Sequence, residues 1–521
     1  MNTIGIIKKG EYYDSITIML IAKHISEMEG VADSAVVMGT KENKSMLASS
    51  GLMTPDIQPA GEMDLVVALK LNDGINAKFV LSKIDAVFKA TKISDEGENF
   101  IPQSIDGAMN VLPDANMAMI SVAGRYAGDV AMKSLQRGLH VMLFSDNVPI
   151  EKEIELKKFA REKNLFVMGP DCGTAILNGV PLAFANVVNR GNIGIVAASG
   201  TGLQEVTCLI SNAGCGISQA IGTGGRDVKK EVGGIMFVEG MKALADDANT
   251  DVILLVSKPP ATEVMEKIIS VARGIQKPIV GVFLGASPEL LKGSNIRQAL
   301  TLEEAALLSV AHSKKENASV VIDALKKRET EIIKTAREEA AKLSPSQKYL
   351  RALYSGGTFC DEAQLLCQDV LGEVYSNIPF GSSKKLKDSW KSENYTILDL
   401  GDDEFTVGKP HPMIDYSTRN KRILAEAENP ETAVILLDIV LGYGSNMNPL
   451  AEIIPVIKEV KRITEKQKRH LPIICSVTGT DKDPQNRTAV VTALGAEGVN
   501  VMESNAAASR LAVSIVSRKE K

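Results

Sequence analysis

Residues 192–214 read NIGIVAASGTGLQEVTCLISNAG, and this stretch determines the predicted fold class. An apolar strand-like run ends in Ser199-Gly200-Thr201-Gly202, and a helical pattern follows. Such a turn offers unpaired backbone N–H groups and the positive end of a helix to an anion. The Ser199 or Thr201 hydroxyl can also cap the helix or donate to a phosphate oxygen. Two interpretations carry equal weight here: a phosphate-binding turn, and a plain capped turn between a strand and a helix.

The same unit recurs on both sides of this stretch. Short β-branched runs end in Gly or Ser and are followed by helical patterns, as in parallel sheets with helices on both faces. Ligands of such sheets bind beyond the carboxyl ends of the strands. We therefore predict an α/β protein with several Rossmann- or flavodoxin-like parallel-sheet domains. The runs that support this prediction are 118–123, 140–145, 165–169, 251–257, 277–285, 395–403, 433–444, 471–479 and 498–504.

The composition is that of an ordinary globular protein. The 521 residues are 45% apolar and 24% charged, enough for about three to four domains. Lys and Arg number 59 and Asp and Glu 64, a net charge of −5, which argues against nucleic-acid recognition through a general basic face. No apolar run is long enough to span a membrane, and the N-terminal one is too short for a signal peptide. The six Cys contain no C-x-x-C pair and the five His no metal-ligand spacing, so we expect a cytoplasmic protein with reduced thiols and no metal site.

Two further glycine-rich turns follow predicted buried strands. Glycines allow a backbone to approach a ligand closely, and an Arg in the first turn adds a charged fork. Neither turn matches the dinucleotide fingerprint or the P-loop, so we expect anion sites without a kinase-type nucleotide motif. The candidate ligand residues of these turns are Gly222, Gly224, Gly225, Arg226, Gly442, Gly444 and Ser445.

Two other loops carry reactive side chains. Asp171 and Cys172 follow a strand-like run; Cys172 is either a nucleophile or, as we favour, a packing residue, because no His lies nearby in sequence to activate it. In 409–415, His411 and Asp415 are either an acid–base pair or, by a slight preference, parts of an ordinary surface loop. Asp171, Cys172 and His411 therefore remain candidate pocket residues.

Several stretches resemble known sequences. Four of them resemble, in order and spacing, the α subunit of succinyl-CoA synthetase: GPDCGTAI (169–176), 191–205, 212–228 and 277–285. Residues 395–403 and 433–444 resemble the carboxy-terminal domain of its β subunit. The joining of these two parts, with YLRALYSGGTFCDEA (349–363) between them, is similar to the FdrA family.

The resemblance implies a domain order and the position of a site. The implied domains are an N-terminal α/β region (1–110), a CoA-binding-like Rossmann domain (111–187), a synthetase-like flavodoxin domain (188–312), a charged helical linker (313–345) and a C-terminal ligase-CoA-like flavodoxin domain (346–521). Two helix N-termini that face a phosphohistidine in the synthetase fall at 199–201 and 442–444. We interpret 313–345 as a solvated helix with a Glu338–Lys342 pair, rather than as an oligomer contact.

The departures from the synthetase bear on the activity. Its phosphorylated His follows the strand that matches 277–285, whereas residues 286–311 here contain no His. The Glu that faces the phosphohistidine falls on Lys258, directly before Pro259. A Lys at this strand end suits a bound phosphate, so we expect Lys258 to neutralise a phosphate or an oxyanion. The ATP-grasp part and the glycine-rich CoA loop have no counterpart, which indicates a retained anion cradle and a lost phosphorylation cycle.

The FdrA resemblance implies a carbamoyltransferase subunit. Members of that family act as a subunit of oxamate carbamoyltransferase in allantoin catabolism, moving a carbamoyl group between oxamate and phosphate. Lys258 and Arg226 are then the catalytic candidates, the ligands are carbamoyl phosphate or phosphate and a small oxo-acid amide, and companion subunits are expected. The alternatives are an ADP-forming acyl-CoA synthetase, with CoA as a ligand, and a non-catalytic CoA- or phosphate-binding subunit. No other cofactor, no nucleic acid and no membrane partner is expected.

Overall fold

The structure is a computed structural model that describes residues 2–11, 13, 15–91, 102, 104–287, 289–406 and 409–517. Within those residues it contains four sheets, two of three strands and two of seven. None of the helices in these ranges is both long and apolar enough to cross a bilayer.

The first unit is an antiparallel sheet covered on both faces. Its elements are β1 (Asn2–Lys8), α1 (Ser15–Ser26), β2 (Val31–Met38), α2 (Lys41–Ser49), β3 (Leu65–Leu71) and α3 (Ala77–Thr91). The strand order is β1-β3-β2. Alternate residues of β3 pack against α1 and α3 on one face and against the 47–60 segment on the other, so this central strand is apolar at every position except Lys70. Residues 92–101, near the end of the predicted region 1–110, lie outside the described residues.

The second unit is a small parallel sheet. Its elements are α4 (Ile105–Val111), β4 (Met117–Ile120), α5 (Gly124–Gln136), β5 (His140–Leu143), α6 (Ile150–Glu162) and β6 (Val167–Met168). The order is β4-β5-β6, with both pairs parallel. Helix α5 buries Ala127, Ala131 and Leu135, whose spacing of four places them on one helix face.

The third unit is built on the first seven-stranded sheet. Its elements are β7 (Thr174–Leu177), β8 (Val180–Ala183), β9 (Arg190–Ala197), α7 (Gly200–Asn212), β10 (Ile217–Gly222), α8 (Ile235–Asp246), β11 (Val252–Ser257), α9 (Thr262–Ala272), β12 (Ile279–Phe283), β13 (Ile296–Ala299) and α10 (Leu302–Ser313). The strand order is β13-β12-β11-β9-β10-β7-β8. The five strands from β13 to β10 are parallel, and the β7–β8 hairpin joins the edge antiparallel to β10. Residues 174–183 therefore belong to this sheet, although they precede the predicted domain boundary at 187/188.

The segment predicted as a solvated linker is largely a packed helix. Helix α11 (Ala318–Ala340) buries Val321, Ile332 and Ala336 against the core between the two large sheets. Lys342 pairs with Glu339 (2.8 Å) rather than with the predicted Glu338. The charged positions of α11 form its solvated face, but its apolar stripe makes it part of the fold.

The fourth unit carries the second seven-stranded sheet. Its elements are β14 (Tyr349–Tyr354), α12 (Gly357–Leu371), β15 (Val374–Ser376), β16 (Lys384–Lys385), β17 (Tyr395–Asp399), α13 (Asp403–Thr406), α14 (Ser417–Glu428), β18 (Thr432–Val440), α15 (Pro449–Lys466), β19 (Ile473–Thr478), α16 (Arg487–Ala496), β20 (Asn500–Met502) and α17 (Asn505–Ser517). All strand pairs of the order β16-β15-β17-β14-β18-β19-β20 are parallel. The predicted α/β class with parallel sheets is thus confirmed.

The two large sheets share one hydrophobic core. Apolar side chains of α7 and α10 from the third unit and of α12 and α17 from the fourth form a single buried cluster. Buried hydrogen bonds cross the same boundary: Glu205 accepts from the Thr478 hydroxyl (2.5 Å) and from the Asn505 amide (2.9 Å). The two units are therefore docked through their helices, with the first turns of α7 and α12 in contact.

Candidate functional site

Helix α7 begins as the sequence predicts. Ser199 is its N-cap, and its hydroxyl accepts from the Gly202 amide at 3.1 Å. Helix geometry leaves the amides of Gly200 and Thr201 without intrahelical acceptors. A Cβ added at Gly200 would meet its nearest neighbour only at 3.8 Å, so the backbone is open to a ligand there.

A second helix N-terminus, that of α12, meets this turn from the fourth unit. The Ser199 and Thr358 hydroxyl oxygens are 2.7 Å apart, and the Thr358 amide donates to Thr201 Oγ1 at 3.3 Å. The turn before α12 is fixed from behind by the buried Asp438 carboxylate, which accepts from the Ser355 amide and hydroxyl. Two positive helix ends therefore converge at one place between the units.

A buried hydroxyl lies beside the α7 turn. Thr174, at the start of β7, is 2% exposed. Its Oγ1 is the nearest atom to the open side of Gly200 and has no hydrogen-bond partner among the described residues. A buried hydroxyl without a partner is costly, and its position next to a helix N-terminus suits it to donate to a bound anion.

A buried carboxyl group lies beside the α12 turn. Asp399, at the end of β17, accepts from the Gly401 amide at 2.9 Å. Its other oxygen would lie 2.8 Å from a Cβ on Gly357, so only glycine at that position leaves the carboxyl room. Burial, reinforced by the carboxylates of Asp361 and Asp402, raises the pKa of Asp399 to about 7. Its carboxyl group can therefore hold or release a proton near neutral pH.

His411 lies next to Asp399 and not in an exposed loop. A Cβ added at Gly401 would be 2.7 Å from His411 Nε2 and 3.1 Å from Asp399 Oδ1. Burial lowers the pKa of His411 to about 4, so its ring is neutral at pH 7. Its Nδ1 accepts from the Met413 amide (3.2 Å), which places the proton of the neutral ring on Nε2. The Asp415 carboxylate, the acid–base partner of His411 in our less favoured interpretation, accepts from the Ser417 amide at 2.7 Å.

Phe184 completes the arrangement. Its ring is 6.1 Å from the His411 ring and would be 3.7 Å from a Cβ on Gly173, the neighbour of Thr174. Ser199, Thr174, Phe184, His411, Asp399 and Thr358 thus lie near one another where the third and fourth units meet, and we call this set the interdomain cleft. The cleft combines helix amides, free or bridging hydroxyls, a neutral imidazole N–H and a carboxyl group that titrates near pH 7. This set can bind an anion and transfer one proton.

Lys258 lies at this crevice but already has a partner. Its ammonium is 2.6 Å from the Asp361 carboxylate in the first turns of α12, and 5.1 Å from the centre of the Phe380 ring. Asp361 is 4% exposed, whereas the Lys258 side chain is 44% exposed. The charge that we expected to face a phosphate therefore neutralises a buried carboxylate across the two units.

The turn at 222–226 has a structural role, contrary to the sequence prediction. Cβ atoms at Gly222 and Gly224 would lie 2.3 Å from the Thr174 and Pro170 carbonyl oxygens, so the chain itself fills the room that these glycines leave. The Arg226 guanidinium donates to the Val148 carbonyl (2.8 Å) and pairs with Glu153 (2.9 Å).

Gly225 differs from its neighbours in the same turn. Its nearest neighbour would be 3.9 Å from an added Cβ, so space remains there. Behind the turn, buried Lys157 bridges Glu153 (2.7 Å) and Asp227 (2.8 Å). Ion pairs with buried side chains thus fasten the turn to the second unit. They account for the presence of Arg226 in the turn without any bound ligand.

Cys172 and Asp171 lie behind the cleft. The Cys172 thiol is buried against the Thr174 and Gly222 carbonyls, and burial raises its pKa to about 12, so the packing interpretation fits and a thiolate nucleophile does not. Burial and then the Asp146 carboxylate raise the pKa of Asp171 to about 6.

The 442–445 turn is not a helix N-terminus. Helix α15 begins only at Pro449, where proline favours the first helical position. The Gly442 amide and carbonyl are held by the Gln485 side chain (3.0 and 2.8 Å), and Ser445 Oγ bonds back to the Leu441 carbonyl at 3.4 Å. Because residue 444 is glycine, the loop can pack on Phe184, whose ring would lie 2.6 Å from an added Cβ on Gly444. The second helix end of the site is therefore that of α12.

Sequence reasoning missed the half of the cleft that the fourth unit supplies. Thr358 and Asp399 lie in the stretches YSGGT and LDLGDD, in each of which glycine follows an apolar run. That strand–glycine signal is the one that identified Ser199, and it would have identified these residues too. Thr174 and Phe184 carry no such signal, because a short hairpin brings them to the site.

Three family models match parts of the chain. Residues 353–515 match CoA-ligase, residues 188–285 match a CoA binding domain, and residues 1–101 match "AllF, heavy metal-associated domain". The chain is thus composed of CoA-ligase and CoA-binding domains behind an AllF-type N-terminal domain. The CoA-binding match lies in the third unit and not in 111–187, where we expected it.

The chain is also similar to individual proteins. YahF of Escherichia coli (strain K12), an uncharacterized protein, is 42% identical over 478 residues, 92% of each chain. The α subunit of an ADP-forming succinate–CoA ligase from Methanothermobacter thermautotrophicus is 27% identical over 177 residues, 33% of this chain and 59% of that subunit. A solved apo structure of dinucleotide forming acetyl-coenzyme A synthetase 1 from Ca. Korarchaeum cryptofilum aligns over 78% of this chain and 84% of its own, with 16% identity and a TM-score of 0.32.

The residues present do not fit the heavy metal that the description of residues 1–101 suggests. Residues 1–101 contain no Cys and one His, and the described residues hold no cluster of three His, Cys, Asp or Glu side chains suited to a metal. In the second unit, where we expected the CoA-binding-like domain, a Cβ at Gly124 in the turn before α5 would be 2.1 Å from the Asp146 carbonyl, so the chain leaves no room for a side chain there.

Proposed function

The chain belongs to the same protein family as YahF of E. coli, and we propose that it is the phosphate-binding subunit of an FdrA-type carbamoyltransferase. The reaction moves a carbamoyl group between phosphate and the amide nitrogen of a small oxo-acid amide such as oxamate, as in the breakdown of allantoin. We further propose that the protein works in the cytoplasm with companion subunits.

The observation that carries this proposal is the convergence of the α7 and α12 N-termini beside a buried hydroxyl without a partner. The amides of Gly200, Thr201 and Gly357 and the Thr174 hydroxyl are donors of the kind that bind a tetrahedral dianion. Ser199 and Thr358 bridge each other and can turn their hydroxyls toward the same anion. A phosphate group is present on each side of the reaction, as phosphate on one side and within carbamoyl phosphate on the other.

The remaining cleft residues fit the proton transfer that carbamoyl exchange needs. When a phosphate oxygen attacks the carbamoyl carbon of N-carbamoyl oxamate, the C–N bond breaks and the leaving amide nitrogen must gain a proton. Protonated Asp399, with a pKa of about 7, can supply it and regain it in the reverse direction. The His411 Nε2–H is placed to donate to the carbonyl oxygen as negative charge develops on it.

The charge pattern favours transfer over ligation. A synthetase cycle passes through a phosphohistidine, and residues 286–311, where the resemblance locates it, contain no His. The Lys258–Asp361 pair (2.6 Å) occupies the place of the carboxylate that faces that histidine in the synthetase. The cleft therefore suits binding and proton transfer to a phosphate, without phosphorylation of the protein.

Phosphate binding is tested on the purified chain by calorimetry. We expect inorganic phosphate to bind once per chain and Thr201→Glu to abolish binding, because the added carboxylate would lie at the α7 N-terminus. Thr207→Val, inside the same helix, is the matched control and should bind phosphate as the wild type does. Equal phosphate affinity in Thr201→Glu and the wild type, with both folded, would contradict the proposed site.

Activity is tested with and without the companion subunits encoded by neighbouring genes. We expect carbamoyl phosphate to form from N-carbamoyl oxamate and phosphate, and Asp399→Asn to remove this activity while phosphate binding remains. CoA-dependent ADP formation from ATP, or stoichiometric acid-labile phosphate on the chain, would establish the ligase alternative instead. Phosphate binding without transfer in the complete assembly would establish a binding subunit and refute the catalytic assignment.

A further inference from the structure

The segment that carries His411 is held from outside the cleft by the N-terminal domain, the unit β1–α3. Lys23 of α1 donates to the Ile414 carbonyl at 3.1 Å and pairs with Glu452 at 2.7 Å. On the other side of His411, Lys409 pairs with Asp33 of β2 at 3.3 Å. The N-terminal domain thus contacts the segment 409–415 on both sides of the histidine.

The contact at Ile414 bears directly on the His411 backbone. The His411 carbonyl accepts from the amides of Ile414 (2.8 Å) and Asp415 (3.1 Å), and the Met413 amide donates to the His411 ring. Residues 411–415 therefore form one compact turn. Because Lys23 binds the Ile414 carbonyl of that turn, it holds the backbone that carries the His411 ring.

Glu452 extends the same contact to the neighbouring loop. Its carboxylate accepts from the Tyr416 amide (3.0 Å) and from the Asn446 side chain (2.6 Å), in addition to Lys23. Glu452 would otherwise be an unpaired anion that joins two loops of the fourth unit. Lys23 supplies the positive charge that pairs with Glu452 from the N-terminal domain. The contacts of Glu452 therefore depend on docking of that domain.

We propose that the N-terminal domain acts as a clamp that positions His411 in the interdomain cleft, with Lys23 as the principal positioning residue. The domain resembles a heavy metal-associated module but lacks its cysteine ligands. Its β-sheet and helices serve here to present Lys23 and Asp33 to the 409–415 segment. A partner that displaced this domain would release His411 from the cleft.

The clamp is tested by the titration of His411, which does not depend on the proposed reaction. The charged groups that face the segment are Lys23 and Asp33 of the N-terminal domain, Glu452 of α15, Asp399 of β17, and its own Lys409 and Asp415. The full chain is labelled with ¹⁵N-histidine, and the His411 signal is assigned with His411→Gln. In the wild type we expect no protonation of His411 between pH 8 and 5, since burial lowers its pKa to about 4.

Lys23→Met should let the turn move toward water and bring a His411 titration into this range, near the ordinary pKa of about 6.5. Lys409→Met removes the other contact and should act in the same direction, which guards against misfolding of one variant. Lys23→Arg should restore the wild-type behaviour. Lys8→Met is the matched control, because Lys8 pairs with Asp85 inside the N-terminal domain (2.8 Å) and does not contact the segment.

The second readout is kinetic and rests on the proposed function. A mispositioned His411 should lower kcat by about tenfold to a hundredfold while the phosphate affinity stays unchanged. A His411 signal in Lys23→Met and Lys409→Met identical to the wild type would overturn the clamp, whatever the activity. A shifted His411 titration together with an unaltered kcat would retain the clamp and refute the role of His411 in the proposed reaction.

Discussion

Replacing Thr174 by Val separates ligand binding from folding, because it removes one oxygen and keeps the shape of the side chain. The Thr174 hydroxyl is buried next to Gly200 at the N-terminus of α7 and has no partner among the described residues. If the cleft binds phosphate, this hydroxyl is unsatisfied in the free protein and satisfied in the complex. The two states should therefore respond to the substitution with opposite signs.

The magnitudes follow from burial. A buried polar group without a partner costs about 1–3 kcal/mol, so Thr174→Val should stabilise the free chain by about 1 kcal/mol once imperfect packing of the methyl group is allowed for. A hydrogen bond to a charged ligand contributes about 1.5–3 kcal/mol. Its loss should weaken phosphate binding about tenfold to a hundredfold, at about 1.4 kcal/mol for each factor of ten.

The assay is urea unfolding of each variant with and without saturating phosphate, with calorimetric titration of phosphate alongside. Thr207→Val is the comparison, because its buried hydroxyl donates to the Gln204 carbonyl at 3.0 Å and is satisfied. That variant should lose stability and keep its phosphate affinity. A Thr174→Val protein that is less stable than the wild type, or that binds phosphate equally well, would refute the assignment of Thr174 to an anion site.

Three further outcomes follow from the charges in the structure. Lys258→Met should destabilise the chain by about 1–2 kcal/mol, as measured by urea unfolding. The loss of stability should be larger at pH 8 than at pH 5. The reason is that burial raises the pKa of Asp361 above its unfolded value, and Lys258 opposes that rise. Cys172, with a thiol pKa of about 12, should resist iodoacetamide at pH 8 in the folded chain and react once unfolded, as judged by mass spectrometry. A hydrogen bond from His470 lowers the pKa of Glu339 from 4.5 to about 2. The contribution of the Glu339 carboxylate to stability should therefore be present above pH 4.5 and be lost as the pH falls through about 2. Thermal unfolding should show no such contribution in Glu339→Gln.

The features that local sequence determines were predicted correctly. The strand, turn and helix around Ser199 follow from an apolar run, a capping hydroxyl and two glycines, all within a few neighbouring residues. The parallel sheets follow from repetition of the same unit. These patterns depend on contacts within a turn or between successive elements, which is why the chain alone reveals them.

The misassigned glycines show where such reasoning stops. Gly200 and Gly222 both follow buried strands, but a Cβ on Gly200 would meet its nearest atom at an ordinary contact distance of 3.8 Å, whereas a Cβ on Gly222 would be 2.3 Å from the Thr174 carbonyl, which admits no side chain. A glycine that makes room for a ligand and one that makes room for another part of the chain give the same sequence signal. Only the position of the β7–β8 hairpin, which joins the sheet antiparallel to its edge, distinguishes them.

The two cations that we predicted as catalytic residues, Lys258 and Arg226, show the same limit of reasoning from sequence, and their contacts constrain the chemistry. Lys258 of the third unit pairs with Asp361 of the fourth unit. Arg226 of the third unit pairs with Glu153 of the second unit. Both positive charges are therefore used to hold units together around the cleft. The capacity to bind an anion then comes from helix amides and hydroxyls, which are oriented by the fold and carry no net charge. Under the proposed function, a carbamoyl phosphate held only by such donors would leave after transfer without the rupture of an ion pair.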